Sequence, residues 1–274
     1  MRLQPHLALR LHALIVPVTR LVHVRLSAAL VCILEAVRKR KGRLYNSEYH
    51  IALPACDARM MPAESASNSK MSIEARNAAL FCGRLRAYTL SGVEFVAYDD
   101  GSKAGRARGS GGGSAQQARM AMCFSKSPSL AGKALASHLM IRMLVQATPT
   151  TARRADGDVP PHIEEGSELI DRLRALPLEA GRGSVPLGTS LLKLVPPVWN
   201  EQKGVFEAVF VGRANCGSNK NVQLVDTARP DQPALMVGKL RTNEFSVDFS
   251  GISAFQAFAA ALAVFDVSSV RRRF

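Results

Sequence analysis

The sequence predicts a mostly β fold in which an antiparallel sheet or barrel encloses one apolar helix. Two observations carry this reading. The stretch Ser253 to Phe265 has helical composition and is apolar on nearly every side. The segments just upstream of it are short, turn-bounded and rich in β-favouring residues.

The helix comes first because it constrains everything else. Phe255, Phe258, Leu262 and Phe265 share one face by helical spacing. Ala257, Ala260, Ala261 and Val264 keep the opposite face apolar, and Gln256 is the one strongly polar group after Ser253. A helix that is apolar all round has to be enclosed by protein or lipid. At about 1.5 Å per residue this one is roughly 20 Å long, short of a hydrocarbon core of about 30 Å. Its enclosure must therefore come from the rest of the chain.

The strands supply that enclosure. Val205 to Val211, Asn221 to Val225 and Ala234 to Leu240 all read as strands. After the Thr242-Asn243 turn, Phe245 to Phe249 alternates with period two. Short strands with turn residues between them point to an antiparallel sheet or barrel. Arg106 to Ser114 is a flexible glycine-serine connection, and Thr148 to Gly166 is a proline-containing surface insertion. Leu169, Ile170, Leu173 and Leu176 have helical spacing and predict a short helix packed outside the sheet.

These segments also carry a family pattern. In order, they are Pro197-Val-Trp-Asn200, Phe206 through Gly212-Arg213, Lys220-Asn-Val-Gln223, Phe245-Ser-Val-Asp-Phe249, Ala254-Phe-Gln-Ala-Phe-Ala259 and Phe265-Asp266. Earlier blocks are Gly83-Arg84-Leu85-Arg86 and Phe95-x-x-Tyr98-Asp99-x-Gly101. In order and spacing the chain resembles a tubby domain from roughly Tyr45 to Ser269, with a divergent middle from about Ser125 to Leu192. The resemblance implies a mostly β (α+β) fold: a closed antiparallel barrel of about twelve strands around a central apolar C-terminal helix. It divides the chain into a basic leader, 1–43, disordered or targeting; a barrel domain, 44–270; and a basic tail, 271–274.

The formal charge is +14, which invites a nucleic-acid or anionic-membrane reading. Its distribution weakens that reading. Nine basic residues up to Arg43 face the single acid Glu35, and Arg271, Arg272 and Arg273 close the chain. Only +3 remains between these tails. Five scattered cysteines, Cys32, Cys56, Cys82, Cys123 and Cys216, form no CxxC pair and no metal-ligand spacing, which reads as a reduced, intracellular chain. Cys123 falls on a strand and is expected to be a buried thiol.

The leader has three open readings. Its Leu, Val, Ala and Arg content resembles a mitochondrial transit peptide. Ser27 to Val37 followed by the run Arg38 to Arg43 would suit an anionic membrane surface. A poorly ordered leader without a fixed role is the bland alternative. Pro17, Arg20 and Arg25 interrupt any span long enough to cross a membrane.

The candidate site is Arg84 and Arg86. On a strand, residues two apart share a face about 6.5–7 Å apart, with Leu85 pointing the other way. Two arginines at that spacing can each hold a phosphate with bidentate geometry. Most such pairs are simply solvated strand faces. The tubby resemblance adds that a Lys-x-Arg pair at this place grips the phosphates of phosphatidylinositol 4,5-bisphosphate. Two departures matter. Glu48 falls where the family has an Asn near the phosphates, with Asn46 brought closer by a short slip in alignment. Gln116 falls where the family has an Arg, with Arg119 nearby as a substitute. Gly238-Lys239-Leu240-Arg241 repeats the Gly-basic-Leu-Arg pattern but aligns with a different, outward-facing strand.

No catalytic constellation stands out. His162-Ile-Glu164-Glu165 is not an HExxH arrangement, and no GxSxG, P-loop or GxGxxG is present. Asp99 and Asp100 read as turn-formers. No cofactor or metal is expected. The resemblance implies a non-catalytic, phosphoinositide-binding adaptor tethered at the cytoplasmic face of the plasma membrane. A monomer is expected, with membrane-receptor cargo as a partner and the nucleus or cilium as other locations. Two alternatives stay open: a nucleic-acid-associated transcription modulator, whose interleaved aromatics are scarce here, and a scramblase-like barrel, whose helix would continue toward a membrane anchor rather than stop at Asp266.

Overall fold

A computed structural model describes residues 9–16, 21–26, 32–41, 46–53, 81–89, 93–99, 117–126, 139–146, 166–177, 180, 182–210 and 212–270. The strands are β1 (Leu9–Val16), β2 (Leu21–Leu26), β3 (Cys32–Lys41), β4 (Asn46–Ala52), β5 (Phe81–Ala87), β6 (Glu94–Asp99), β7 (Ala118–Lys126), β8 (Leu139–Gln146), β9 (Thr189–Leu194), β10 (Val198–Asn200), β11 (Val205–Glu207), β12 (Val222–Asp226), β13 (Arg229–Arg241) and β14 (Glu244–Phe249). Among the described residues, two α-helices, α1 (Gly166–Ala175) and α2 (Ala254–Val270), accompany them. The fold is mostly β, and every strand pairing is antiparallel.

Ten strands, β3 to β9 followed by β12 to β14, form one continuous sheet. The β1/β2 hairpin lies between its two ends: β1 pairs with β14, and β2 pairs with β3. Each of the ten strands sends alternate apolar residues to the same interior. Ala36, Ile51, Leu85, Phe95, Met120, Met143, Leu192, Leu224, Val237 and Phe245 are all buried there. The period of two along a strand makes this possible.

The shared interior is filled by α2. Every side chain from Gln256 to Val267 is buried, so the apolar stretch seen in the sequence is the core of the sheet. The helix continues past Asp266 to Val270, beyond the stop read from the sequence. Its start is a capping box. Gln256 N donates to Ser253 Oγ (3.2 Å), and Ser253 N donates to Gln256 Oε1 (2.9 Å). Gln256 Nε2 then donates to the carbonyls of Arg119 and Gln146, both at 2.9 Å, pinning the helix start to β7 and β8. Near the other end, Tyr49 Oη donates to the buried Asp266 carboxylate at 3.1 Å. The buried Gln256 and Asp266 of α2 thus have hydrogen-bond partners. No described helix is long and apolar enough to cross a membrane.

Helix α1 packs outside the sheet, as its spacing predicts. Leu169, Ile170 and Leu173 bury against Val96, Ala121, Leu144 and Leu191, which point outward from β6 to β9. Arg174 fixes it further, meeting Glu94 at 2.6 Å and lying over the Tyr88 ring at 5.7 Å.

Several sequence expectations need correction. Residues 32–41, assigned to a leader by composition, form β3, which pairs with β4 along its length. Leu34 and Ala36 are core residues, 5% and 0% exposed. The run of basic residues hid the alternation that puts these two inside. Residues 9–16 and 21–26 are strands as well. The tail, 271–274, lies outside the described residues. The strand expected over Val205 to Val211 stops at Glu207 and pairs only with β10, in a separate two-stranded hairpin. Val209 is exposed there, so its β-favouring character does not bury it. Cys123 points outward and is only half-buried, not a core thiol.

Candidate functional site

The β4–β5–β6 wall is built by register. Leu85 and Ala87 of β5 face the core, so Arg84 and Arg86 face out. Arg84 lies opposite His50 on β4 and Tyr98 on β6; Arg86 lies opposite Glu48 and Val96. The i, i+2 placement expected from the sequence therefore stands, with the two arginines side by side on one outer face.

Their environments differ. Arg86 is exposed, and among the described residues it makes no ion pair. Arg84 is half-buried, with its guanidinium carbon 5.2 Å from the centroid of the Tyr98 ring. That ring packs against the cluster beneath α1. A cation over an aromatic face is held by the ring quadrupole, and guanidinium stacks especially well. Arg84 Nε is buried and has no hydrogen-bond partner among the described residues. Buried donors are rarely left so, and an anion at this place would satisfy it.

Gly83 sets the approach of β5. Its φ is 152°, and a Cβ there would come 2.2 Å from the Tyr98 carbonyl oxygen and 2.8 Å from the Phe255 ring. Only glycine lets β5 lie this close to both β6 and the start of α2.

The other candidates separate from the pair. Arg119 is committed to Asp99: Nε donates to Oδ2 at 2.7 Å, and Nη1 reaches Gln146 Oε1 at 3.3 Å. Asp99 also accepts from the Gln117 backbone at 3.0 Å. It is the last residue of β6, a strand-end anchor rather than only a turn-former. The Asn46 side chain and all of Gln116 lie outside the described residues, as does Asp100.

Glu48 occupies the outer face as the alignment implied, but it does not protrude. It is 3% exposed, and His50 Nε2 donates to its Oε1 at 2.9 Å. Two partners of the site escaped the sequence reading. Tyr98 was visible as part of a motif and His50 as an isolated histidine. Only cross-strand register shows that both flank Arg84.

The repeated pattern at Gly238 is placed elsewhere. A Cβ on Gly238 would meet the Arg213 carbonyl oxygen at 2.1 Å, so a neighbouring segment covers that strand. Lys239 N donates to Asn221 Oδ1 at 2.8 Å, and Arg241 is ion-paired to Glu244. A separate groove of about 650 Å³ lies at the β10/β11 hairpin beside Trp199, and neither Arg84 nor Arg86 lines it.

An antiparallel sheet wrapped on a buried apolar helix, with a basic pair on its outer wall, defines a β domain with the helix as its core. The Tub family profile matches residues 28–267, most of the chain. The chain belongs to the Tub family. Tubby-related protein 1 from Mus musculus and from Homo sapiens are each 40% identical over 72 residues, covering 26% of this chain and 13% of the relative. Protein king tubby 2 from Aedes aegypti is 39% identical over 71 residues, covering 26% of this chain and 17% of the relative. The matched segments thus span under a fifth of those relatives' own length.

Proposed function

We propose that this chain is a non-catalytic membrane-tethering protein whose Arg84/Arg86 wall binds the phosphates of a phosphoinositide of the phosphatidylinositol 4,5-bisphosphate type. One observation carries the reading: a half-buried guanidinium, whose Nε has no hydrogen-bond partner among the described residues, stands beside an exposed arginine on the same face. Arg84 is stacked and oriented before any ligand arrives, which lowers the ordering cost of binding. Arg86 is solvated and can close on a second phosphate. The strand order, returning to its start through β1 and β2, supports a closed barrel as the rigid support for this wall. Tethering would be peripheral, at the cytoplasmic leaflet, where such lipids supply the negative charge.

Sedimentation with vesicles tests this. Vesicles carrying the bisphosphate, the 4-phosphate or only phosphatidylserine are compared at fixed ionic strength. Preferential binding to the bisphosphate is expected. Equal binding to phosphatidylserine would leave only unspecific attraction by basic segments and end the site reading.

A further inference from the structure

The outer face around Arg84 carries apolar side chains beside its basic ones. Val37 of β3 lies opposite His50 of β4, and His50 lies opposite Arg84 of β5. Ala36 faces the core, so Val37 faces out, and it is 43% exposed. Leu53 directly follows β4 and is 46% exposed. Phe81 opens β5 opposite Ala52, and its half-buried ring lies 5.5 Å from the His50 ring. At about 3.4 Å per residue, Arg84 is about 10 Å along β5 from Phe81, and Arg86 is about 17 Å from it. Glu48, on the same face, is 3% exposed, so it adds little to the surface that meets solvent. From the start of β5, the wall therefore runs from an apolar border to Arg84 and then to Arg86.

We propose that Val37 and Leu53, backed by Phe81, form an apolar border that enters the bilayer interface while Arg84 and Arg86 hold the head group. The inference rests on the phosphoinositide reading above and adds to it a preference for the lipid in a membrane over the same phosphates free in water. A single exposed apolar side chain is ordinary on a protein surface. Here two of them lie on neighbouring strands beside a basic pair. The charge of that pair is complementary to an anionic leaflet, and the border supplies apolar area next to it. Interfacial binding draws on both contributions at once. The order along β5 also fits a bilayer. The border lies at one end, where it can reach the acyl boundary. The arginines follow, where phosphates project from the membrane surface. Withdrawing a half-exposed Val or Leu from water strengthens binding about five- to tenfold for each side chain.

The test compares two ligands for the full chain: phosphatidylcholine vesicles carrying phosphatidylinositol 4,5-bisphosphate, and soluble inositol 1,4,5-trisphosphate. Val37→Asp/Leu53→Asp is expected to bind the vesicles at least tenfold more weakly and the soluble trisphosphate as wild type does. Val198→Asp is the control, because Val198 is 74% exposed but lies on the separate β10/β11 hairpin. It should bind both ligands as wild type does. Leu53→Trp gives a direct reading. Its fluorescence should be quenched by brominated phosphatidylcholine beyond the quenching of the single native Trp199 in wild type. Should the double Asp variant not fold, this quenching decides alone. Three results each overturn the proposal and leave the phosphoinositide reading standing: vesicle binding by the double variant equal to wild type, an equal loss in Val198→Asp, or no added quenching in Leu53→Trp. Absence of binding by wild type to either ligand overturns both.

Discussion

The guanidinium of Arg84 lies over the ring of Tyr98, 5.2 Å from its centroid, across the β5–β6 ladder. This stack ties the candidate phosphate site to the cluster under α1, because Tyr98 packs on that cluster. Tyr98→Leu should weaken bisphosphate-vesicle binding about fivefold, for a cation–aromatic contact worth about 1 kcal/mol. Tyr98→Phe should bind as wild type does. A loss in Tyr98→Phe equal to that in Tyr98→Leu would place the effect on the hydroxyl instead of the ring.

Arg119 should behave as a structural residue. Its guanidinium is spent on Asp99, with 33% and 20% of the two side chains exposed. Arg119→Ala is expected to cost about 1 kcal/mol in denaturant unfolding and to leave vesicle affinity unchanged. A drop in affinity without loss of stability would return Arg119 to the binding site.

Deleting residues 1–43 should destroy the fold rather than trim a leader. The deletion removes β3 with its core residues Leu34 and Ala36, exposing one edge of the sheet. Loss of the cooperative thermal transition in circular dichroism is the expected result. A truncated protein melting like the full chain would show that β3 is dispensable.

Burial, followed by the charge of Glu94, pushes the Cys123 thiol from its ordinary 9.0 up to about 12. The folded state therefore holds this proton when the unfolded chain has begun to lose it. Stability contributed by the neutral thiol is complete below about pH 9 and declines as pH rises toward about 12. At pH 8 the folded protein should react with a thiol reagent far more slowly at Cys123 than the unfolded chain does. Peptide mapping of the alkylated protein reads this directly, and equal rates in both states would contradict it.

Much of the fold was legible because the signals are local. The all-round apolar helix, the alternation of Phe245 to Phe249 and the spacing of α1 each report on one segment. The Asn243 turn, with φ of 60°, joins β13 to β14 as its sequence suggested. The β3 strand was masked by its own charges, since Arg38 to Lys41 dominate the composition around two small core contacts. The β10/β11 hairpin was misjudged because Val205 to Val211 has strand propensity but no sheet edge to join beyond Glu207.

The site was legible only in part for a related reason. That Arg84 and Arg86 share a face follows from strand geometry alone. That Tyr98 supports one, Glu48 and His50 lie alongside, and Arg119 is engaged by Asp99 depends on cross-strand register. Register joins residues from β4 to β7 whose separation in sequence gives no sign of contact.

The central claim is that Arg84 and Arg86 together bind the phosphoinositide head group. The direct measurement is the affinity of Arg84→Ala/Arg86→Ala for vesicles carrying phosphatidylinositol 4,5-bisphosphate, with its thermal transition checked in parallel. Both side chains point away from the core, so an unchanged melting profile and a loss of selective binding are expected. A folded double variant that still prefers the bisphosphate over phosphatidylserine as wild type does would contradict the claim.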